Sequence, residues 1–162
     1  MKMLLIFRHA KSSWDDPGLD DHERPLNKRG RQDAPRMGQL IREEELQPDL
    51  ILCSTAKRAR STAELAAKEA GYQGEIRPLD ELYAAPAEAY LRVLAGISEK
   101  FDCVMLVGHN PGLENLLTLL SGRVEPLPTA ALAHVRLDVR SWSDITLRTS
   151  GELIQVWRPK DL

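Results

Sequence analysis

Residues 3–7, M-L-L-I-F, form an uninterrupted apolar run, and similar runs recur at 50–53, L-I-L-C, and 104–107, V-M-L-V. Runs this short and this apolar predict strands buried on both faces, as in a parallel sheet. Between them the period changes. Asn27 is positioned to cap a helix reaching about residue 46, with Met37, Leu40 and Ile41 at helical spacing, and Pro35 predicts a kink or a break within it. A second helix is expected after Thr55, carrying Ala59, Ala63, Leu65 and Ala66 and ending near Gly71. Tyr90, Leu91, Leu94, Ala95 and Ile97 predict a third over 87–99, and a fourth runs from about 112 to 120. A short strand near 75–77 and two late strands at 133–138 and 153–157 complete the pattern. Strands separated by helices make βαβ units, so the expected class is an α/β sandwich. The pattern shows no repeat or linker, Pro126 and Pro128 marking a loop, and residues 1–162 read as a single domain.

Size and composition narrow the chemistry. A chain of 162 residues buries about two thirds of its unfolded surface and needs no metal or disulfide staple to fold. Apolar content of 43%, charged content of 28% and a net charge of −2 argue against a nucleic-acid binder driven by bulk charge. Attraction for a charged ligand must be local. Cys53 and Cys103 each lie inside an apolar run and read as small core hydrophobes in a reducing compartment. The first apolar run is shorter than a signal peptide's hydrophobic region, and no later run approaches a membrane span, so the expected location is cytoplasmic, with no membrane partner.

The candidate chemistry sits where the predicted strands end. In an open α/β sheet, ligands bind beyond the carboxyl ends of the strands. The first strand exits into Arg8 and His9, the second into Ser54 followed by Lys57 and Arg58, the third region into Asp80 and Glu81, and the fourth into Gly108, His109 and Asn110. A lone histidine is more often a hydrogen-bonded or exposed side chain, which is the reading for His22 and His134. Arg58 alone, flanked by Lys57 and Arg60, would read as a solvated helix face. The joint occurrence of two arginines and two histidines at equivalent strand ends instead describes a pocket for a dianion, most naturally a phosphoryl group. One histidine is then free to attack phosphorus, provided that it is neutral, a state that neighbouring arginines favour.

These residues resemble the histidine phosphatase superfamily. R-H-A at 8–10 resembles the family's R-H-G after the first strand, with Ala10 in place of glycine. S-T-A-K-R-A-R-S-T-A at 54–63 resembles S-x-x-x-R-A-x-x-T, L-V-G-H-N-P at 106–111 resembles the segment with the second histidine, and R-P-L-N-K-R-G at 24–30 resembles R-P-L-T-x-x-G. The resemblance implies a three-layer α/β/α sandwich with a mostly parallel central sheet and a metal-free mechanism without a cofactor. His9 would be the phosphorylated nucleophile, with Arg8, Arg58 and His109 holding the phosphoryl group. Short length and the R-P-L segment look most like the small SixA-type phosphohistidine phosphatases. Asp15 stands where phosphoglycerate mutases usually have a phosphate-contacting asparagine, and its charge would repel phosphate, which argues against a mutase.

Two carboxylates compete for the role of general acid. Glu81 matches the approximate location of the acid in the mutase and phosphatase branches, while Asp21, three residues before R-P-L, resembles a SixA-type alternative, and Glu81 is placed narrowly ahead. An imidazole leaving group can be protonated on its second nitrogen, so a dedicated acid matters less for phosphohistidine than for an ester. The run from Asp20 to Glu23 does not read as a metal site, because adjacent loop residues rarely all face one ion. The expected function is hydrolysis of phosphohistidine on a protein through an intermediate at His9. The alternatives are a small-metabolite phosphomonoesterase and a phosphate-binding module without turnover.

Overall fold

The computed structural model describes residues 1–162. Six strands form one sheet: β1 (Lys2–Arg8), β2 (Leu50–Ser54), β3 (Ile76–Leu79), β4 (Cys103–Gly108), β5 (Leu132–Leu137) and β6 (Gly151–Trp157). Their order across the sheet is β3-β2-β4-β1-β5-β6. β3, β2, β4 and β1 pair in parallel, and β5 runs antiparallel to both its neighbours, β1 and β6. Four helices, α1 (Lys28–Glu43), α2 (Lys57–Ala70), α3 (Ala87–Ala95) and α4 (Gly112–Ser121), cover the two faces.

The strict alternation of side chains along a strand divides each buried run between the two faces. Leu4, Ile6, Leu50, Leu52 and Leu106 pack with Leu94 of α3 and Leu113 and Leu117 of α4. Leu5, Phe7, Ile51, Cys53, Met105 and Val107 pack on the other side with Met37 and Ile41 of α1 and Ala59, Ala63 and Ala66 of α2. The result is the three-layer α/β/α sandwich with a mostly parallel central sheet. Trp142 fills part of the first layer and donates its Nε1–H to Phe101 O. No helix is long and apolar enough to cross a membrane.

Local signals account for most boundaries. Asn27 caps α1 by accepting from Gly30 N, and Gly71 ends α2 in the left-handed region with φ +73°. The break expected at Pro35 does not occur. α1 continues through it, held by packing against α2 so close that a Cβ on Gly38 would lie 2.3 Å from Ala66 O. α3 stops at Ala95, four residues short of the expected end, where Gly96 and Ile97 bond back to Val93 O and Leu94 O and tighten the last turn.

Candidate active site

The carboxyl ends of β1, β2 and β4 lie side by side, and the residues just past them form a cleft. Arg8 sits opposite Gly108 in the parallel register, so His9 and His109 leave neighbouring strands at the same level. Their ring centroids are 5.1 Å apart. Cys53 pairs with Val107, which brings Ser54 alongside, its Oγ 2.8 Å from His109 Nε2. Arg58, the second residue of α2, closes the third side. Arg8, His9, Arg58 and His109 line one cavity of about 240 Å³, with Ser12, Trp14, Asp21, Arg24, Tyr83 and Asn110 among its other walls.

His9 has a defined tautomer. Its Nδ1 lies 2.7 Å from Ala10 O, and a carbonyl only accepts, so Nδ1 carries the proton and Nε2 keeps its lone pair. Ala10 N donates to Thr62 Oγ1, which donates to Arg58 O, tying the turn after β1 to the first turn of α2. Burial lowers the His9 pKa from 6.5 to about 3; His109, Arg58 and Arg8 act in the same direction, and the Ala10 carbonyl opposes them. The neighbouring cations thus contribute as expected, but burial is the larger cause.

His109 is also neutral near pH 7. Burial, followed by the charge of Arg58, lowers its pKa to about 4, against the opposing charge of Asp21. Ser54 Oγ accepts from Ala56 N, so its own proton is free to donate to His109 Nε2. When Ser54 donates, His109 carries its proton on Nδ1, which has no protein acceptor. The backbone N–H of His109 donates to the Tyr90 hydroxyl at 3.2 Å, and a Cβ on Gly108 would lie 2.2 Å from the same oxygen. Only glycine fits the strand end there.

The arginines are fixed but not saturated. Arg8 Nη1 donates to Leu127 O at 3.0 Å, and Arg58 donates from Nη1 to Asp21 O at 2.7 Å and from Nη2 to Asp21 Oδ2 at 3.0 Å. In both, the buried Nε–H lacks a partner. A buried donor without an acceptor costs about 1–3 kcal/mol, so an anion that supplies oxygens here is favoured. Glu114 supports Arg8 from behind. Its carboxylate accepts from Asn110 Nδ2 and Leu127 N, and Asn110 Nδ2 also donates to the Leu127 carbonyl that holds Arg8. Burial lowers the Arg8 pKa, and the charge of Glu114 opposes that shift.

The two candidate acids are placed differently. Asp21 lines the cleft, where it accepts from the Tyr83 hydroxyl, Arg58 and Arg24. These donors, Tyr83 first, hold its carboxyl below the usual carboxylate range, so it anchors arginines as an anion and is a poor proton source. Glu81 does not reach the cleft. It is exposed in the 3₁₀ turn Asp80–Leu82 and faces a groove with Arg77 and Arg92. Successive residues of such a turn point about 120° apart. Leu82 therefore enters the core while Glu81 faces out, and Tyr83 just beyond the turn reaches the cavity. Of the two carboxylates ranked from sequence, Glu81 before Asp21, only Asp21 lines the cleft.

His22 bonds to Thr55 Oγ1, and His134 lies on β5 outside the cavity lining. The run from Asp20 to Glu23 does not converge on one point: Asp21 turns to the arginines while His22 turns to Thr55. Burial raises the pKa of Cys53 to about 11 and of Cys103 to about 12, keeping both thiols protonated. Tyr83 and Trp14 in the cleft, and the roles of Tyr90 and Glu114 behind it, were not legible in sequence. Tyr90 carried only a helix-core signal, because its hydroxyl contributes nothing to hydrophobic spacing.

The sequence model of the histidine phosphatase superfamily (branch 1) matches residues 4–85. An uncharacterised chloroplastic protein of Arabidopsis thaliana is 34% identical over 152 residues, covering 88% of this chain and 70% of that protein. Among solved structures, a protein of Agrobacterium tumefaciens assigned provisionally as the phosphohistidine phosphatase SixA is 33% identical, with a TM-score of 0.83 and 98% of each chain covered. A second protein with the same provisional assignment, from Nakamurella multipartita, has a TM-score of 0.86 and 25% identity, covering 98% of this chain and 96% of that one.

Proposed function

The chain belongs to the histidine phosphatase superfamily, and from that premise we propose that it hydrolyses phosphohistidine carried on a protein, passing the phosphoryl group through His9. The observation that carries this reading is the His9 ring itself: Nδ1–H is committed to Ala10 O, which leaves the Nε2 lone pair in a cavity also lined by two arginines with unpartnered Nε–H groups. In the first step Nε2 attacks phosphorus while the bond from phosphorus to the substrate imidazole breaks, its electron pair returning to that ring. Arg8, Arg58 and the His109 Nδ1–H hold the phosphoryl oxygens as charge shifts. In the second step water attacks phosphorus, the bond to Nε2 breaks with its pair returning to His9, and both protons of the water leave on the inorganic phosphate.

The state of Asp21 favours phosphohistidine over an ester. An alkoxide needs a proton as it leaves, and the one carboxyl that lines the cleft is held ionised by Tyr83, Arg58 and Arg24. A departing imidazole takes its proton on the other ring nitrogen and needs no such donor. The assignment of the Agrobacterium tumefaciens protein points the same way. The test compares kcat/KM for a phosphohistidine peptide and for an alkyl phosphate. The expected preference for the peptide is about 10²-fold or more, the scale of a missing general acid. Comparable values for both, with Asp21→Asn abolishing ester hydrolysis alone, would instead identify a small-metabolite phosphomonoesterase.

A further inference from the structure

The cleft has room for little beyond the reacting groups. Its volume of about 240 Å³ is below the roughly 300–1,000 Å³ typical of pockets that enclose a whole small ligand. A phosphohistidine would fill it, and the residues on either side of that histidine would lie across the rim. One side of the rim is the loop from Trp14 to Glu23, anchored at its base by Ser13 N to Pro25 O and Asn27 N to Lys11 O.

Trp14 is 73% exposed although it lines the cavity. One face of its indole rests on the Arg24 guanidinium, 3.5 Å from the ring centroid. Arg24 is itself buried and fixed, donating to Asp21 Oδ1, Ser12 Oγ and Ser13 O. The ring is therefore held in place from one side while the other side meets solvent. Core packing does not explain a large aromatic group so exposed and so firmly supported; an aromatic platform for a ligand does.

The charge of the same loop specifies what would lie on that platform. Asp15, Asp16, Asp20, Asp21 and Glu23 are all exposed, and Asp80 hydrogen-bonds to Thr55 beside His22. Asp21 is committed to the arginines, but the side chains of Asp15 and Asp20 make no hydrogen bond and flank the cavity residues Trp14 and Asp21 in the chain. The floor is cationic and this rim is anionic. Surface charges act over roughly 8 Å at physiological ionic strength, so a polyanionic metabolite is repelled at the rim while a single phosphoryl group next to basic residues is attracted at both levels.

We propose that Trp14 and the acidic loop form a docking surface for a basic protein segment flanking the phosphohistidine, with an arginine or lysine of that partner laid on the free face of the indole. The proposal rests on the phosphohistidine reading of the cleft. Its test measures binding apart from turnover, using peptides that carry a non-hydrolysable phosphonate-triazole analogue of phosphohistidine flanked by either arginine or glutamate. The arginine-flanked peptide is expected to bind about tenfold more tightly at low salt. That ratio should shrink with added salt, and approach one in the Asp15→Asn/Asp20→Asn double variant and in Trp14→Ala. Equal affinities for wild type, or a ratio unchanged by these substitutions, would overturn the docking surface. A peptide preference without turnover of authentic phosphohistidine would support the docking surface and remove the catalytic reading, and turnover without preference would do the reverse.

Discussion

At the scale of single residues, the proposed transfer turns on a histidine that burial keeps neutral in acid. The His9 pKa is lowered from 6.5 to about 3, burial being the chief cause, and kcat/KM reports ionisations of the free enzyme. Because the protonated ring cannot attack, the limb assigned to His9 should lie well below pH 6.5. Between pH 7 and 5, kcat/KM corrected for the substrate's own ionisation should therefore change little. An apparent pKa near 6.5 in that corrected profile would contradict the burial argument. Arg58→Ala should lower kcat by about 10²–10³, the scale of removing one preorganised charge donor, and an unchanged rate would remove Arg58 from the phosphoryl site. Arg8, His9, Arg58 and His109 were legible in sequence because each directly follows or nearly follows an apolar strand. The exclusion of Glu81 was not, since the winding of the turn Asp80–Leu82 sends Glu81 outward and brings Tyr83, two residues on, to the cavity.

At the scale of elements, the parallel register of β1 and β4 does the assembly. It sets Arg8 against Gly108 and so brings together two histidines that lie 100 positions apart in the chain. The approach of α3 to that strand end is tight, because the Tyr90 hydroxyl occupies the space where a Cβ on Gly108 would stand. Gly108→Ala should cost about 1–3 kcal/mol by overpacking, read as a lower urea midpoint. Tyr90→Phe, which removes the hydroxyl, should recover part of that loss in the double variant, and strictly additive effects would show that this contact is not the cause. Strand positions were legible from apolar runs and their alternation. The end of α3 and the continuity of α1 through Pro35 were not, because tertiary packing against α2 and a tightened last turn override local propensity at those points.

At the scale of the whole molecule, α1 and α2 on one face and α3 and α4 on the other leave the strand ends open at one edge, and the cationic site is built within a chain of net charge −2. That construction makes stability depend on pH. His9 and His109 have folded pKa values of about 3 and about 4 against an ordinary 6.5, so between these values the unfolded chain binds more protons. Their neutral burial is fully tolerated above pH 6.5, and stability falls as pH drops toward the folded values. The melting temperature should decline from pH 7 to 4.5, and less steeply in His9→Asn than in wild type; parallel declines would show that His9 does not contribute. The layered α/β fold was legible because βαβ alternation leaves few topologies. Convergence of the site followed from the rule for strand ends, whereas the platform at Trp14 depends on a buried arginine beneath it that no spacing reveals. Phosphoryl transfer to His9 is read directly by mass spectrometry of acid-labile phosphate after brief mixing with a phosphohistidine protein donor. The expected result is a label on His9 that decays to inorganic phosphate and is absent in His9→Asn; donor hydrolysis with no label on His9, or with the label on another residue, would overturn the role of His9 as nucleophile.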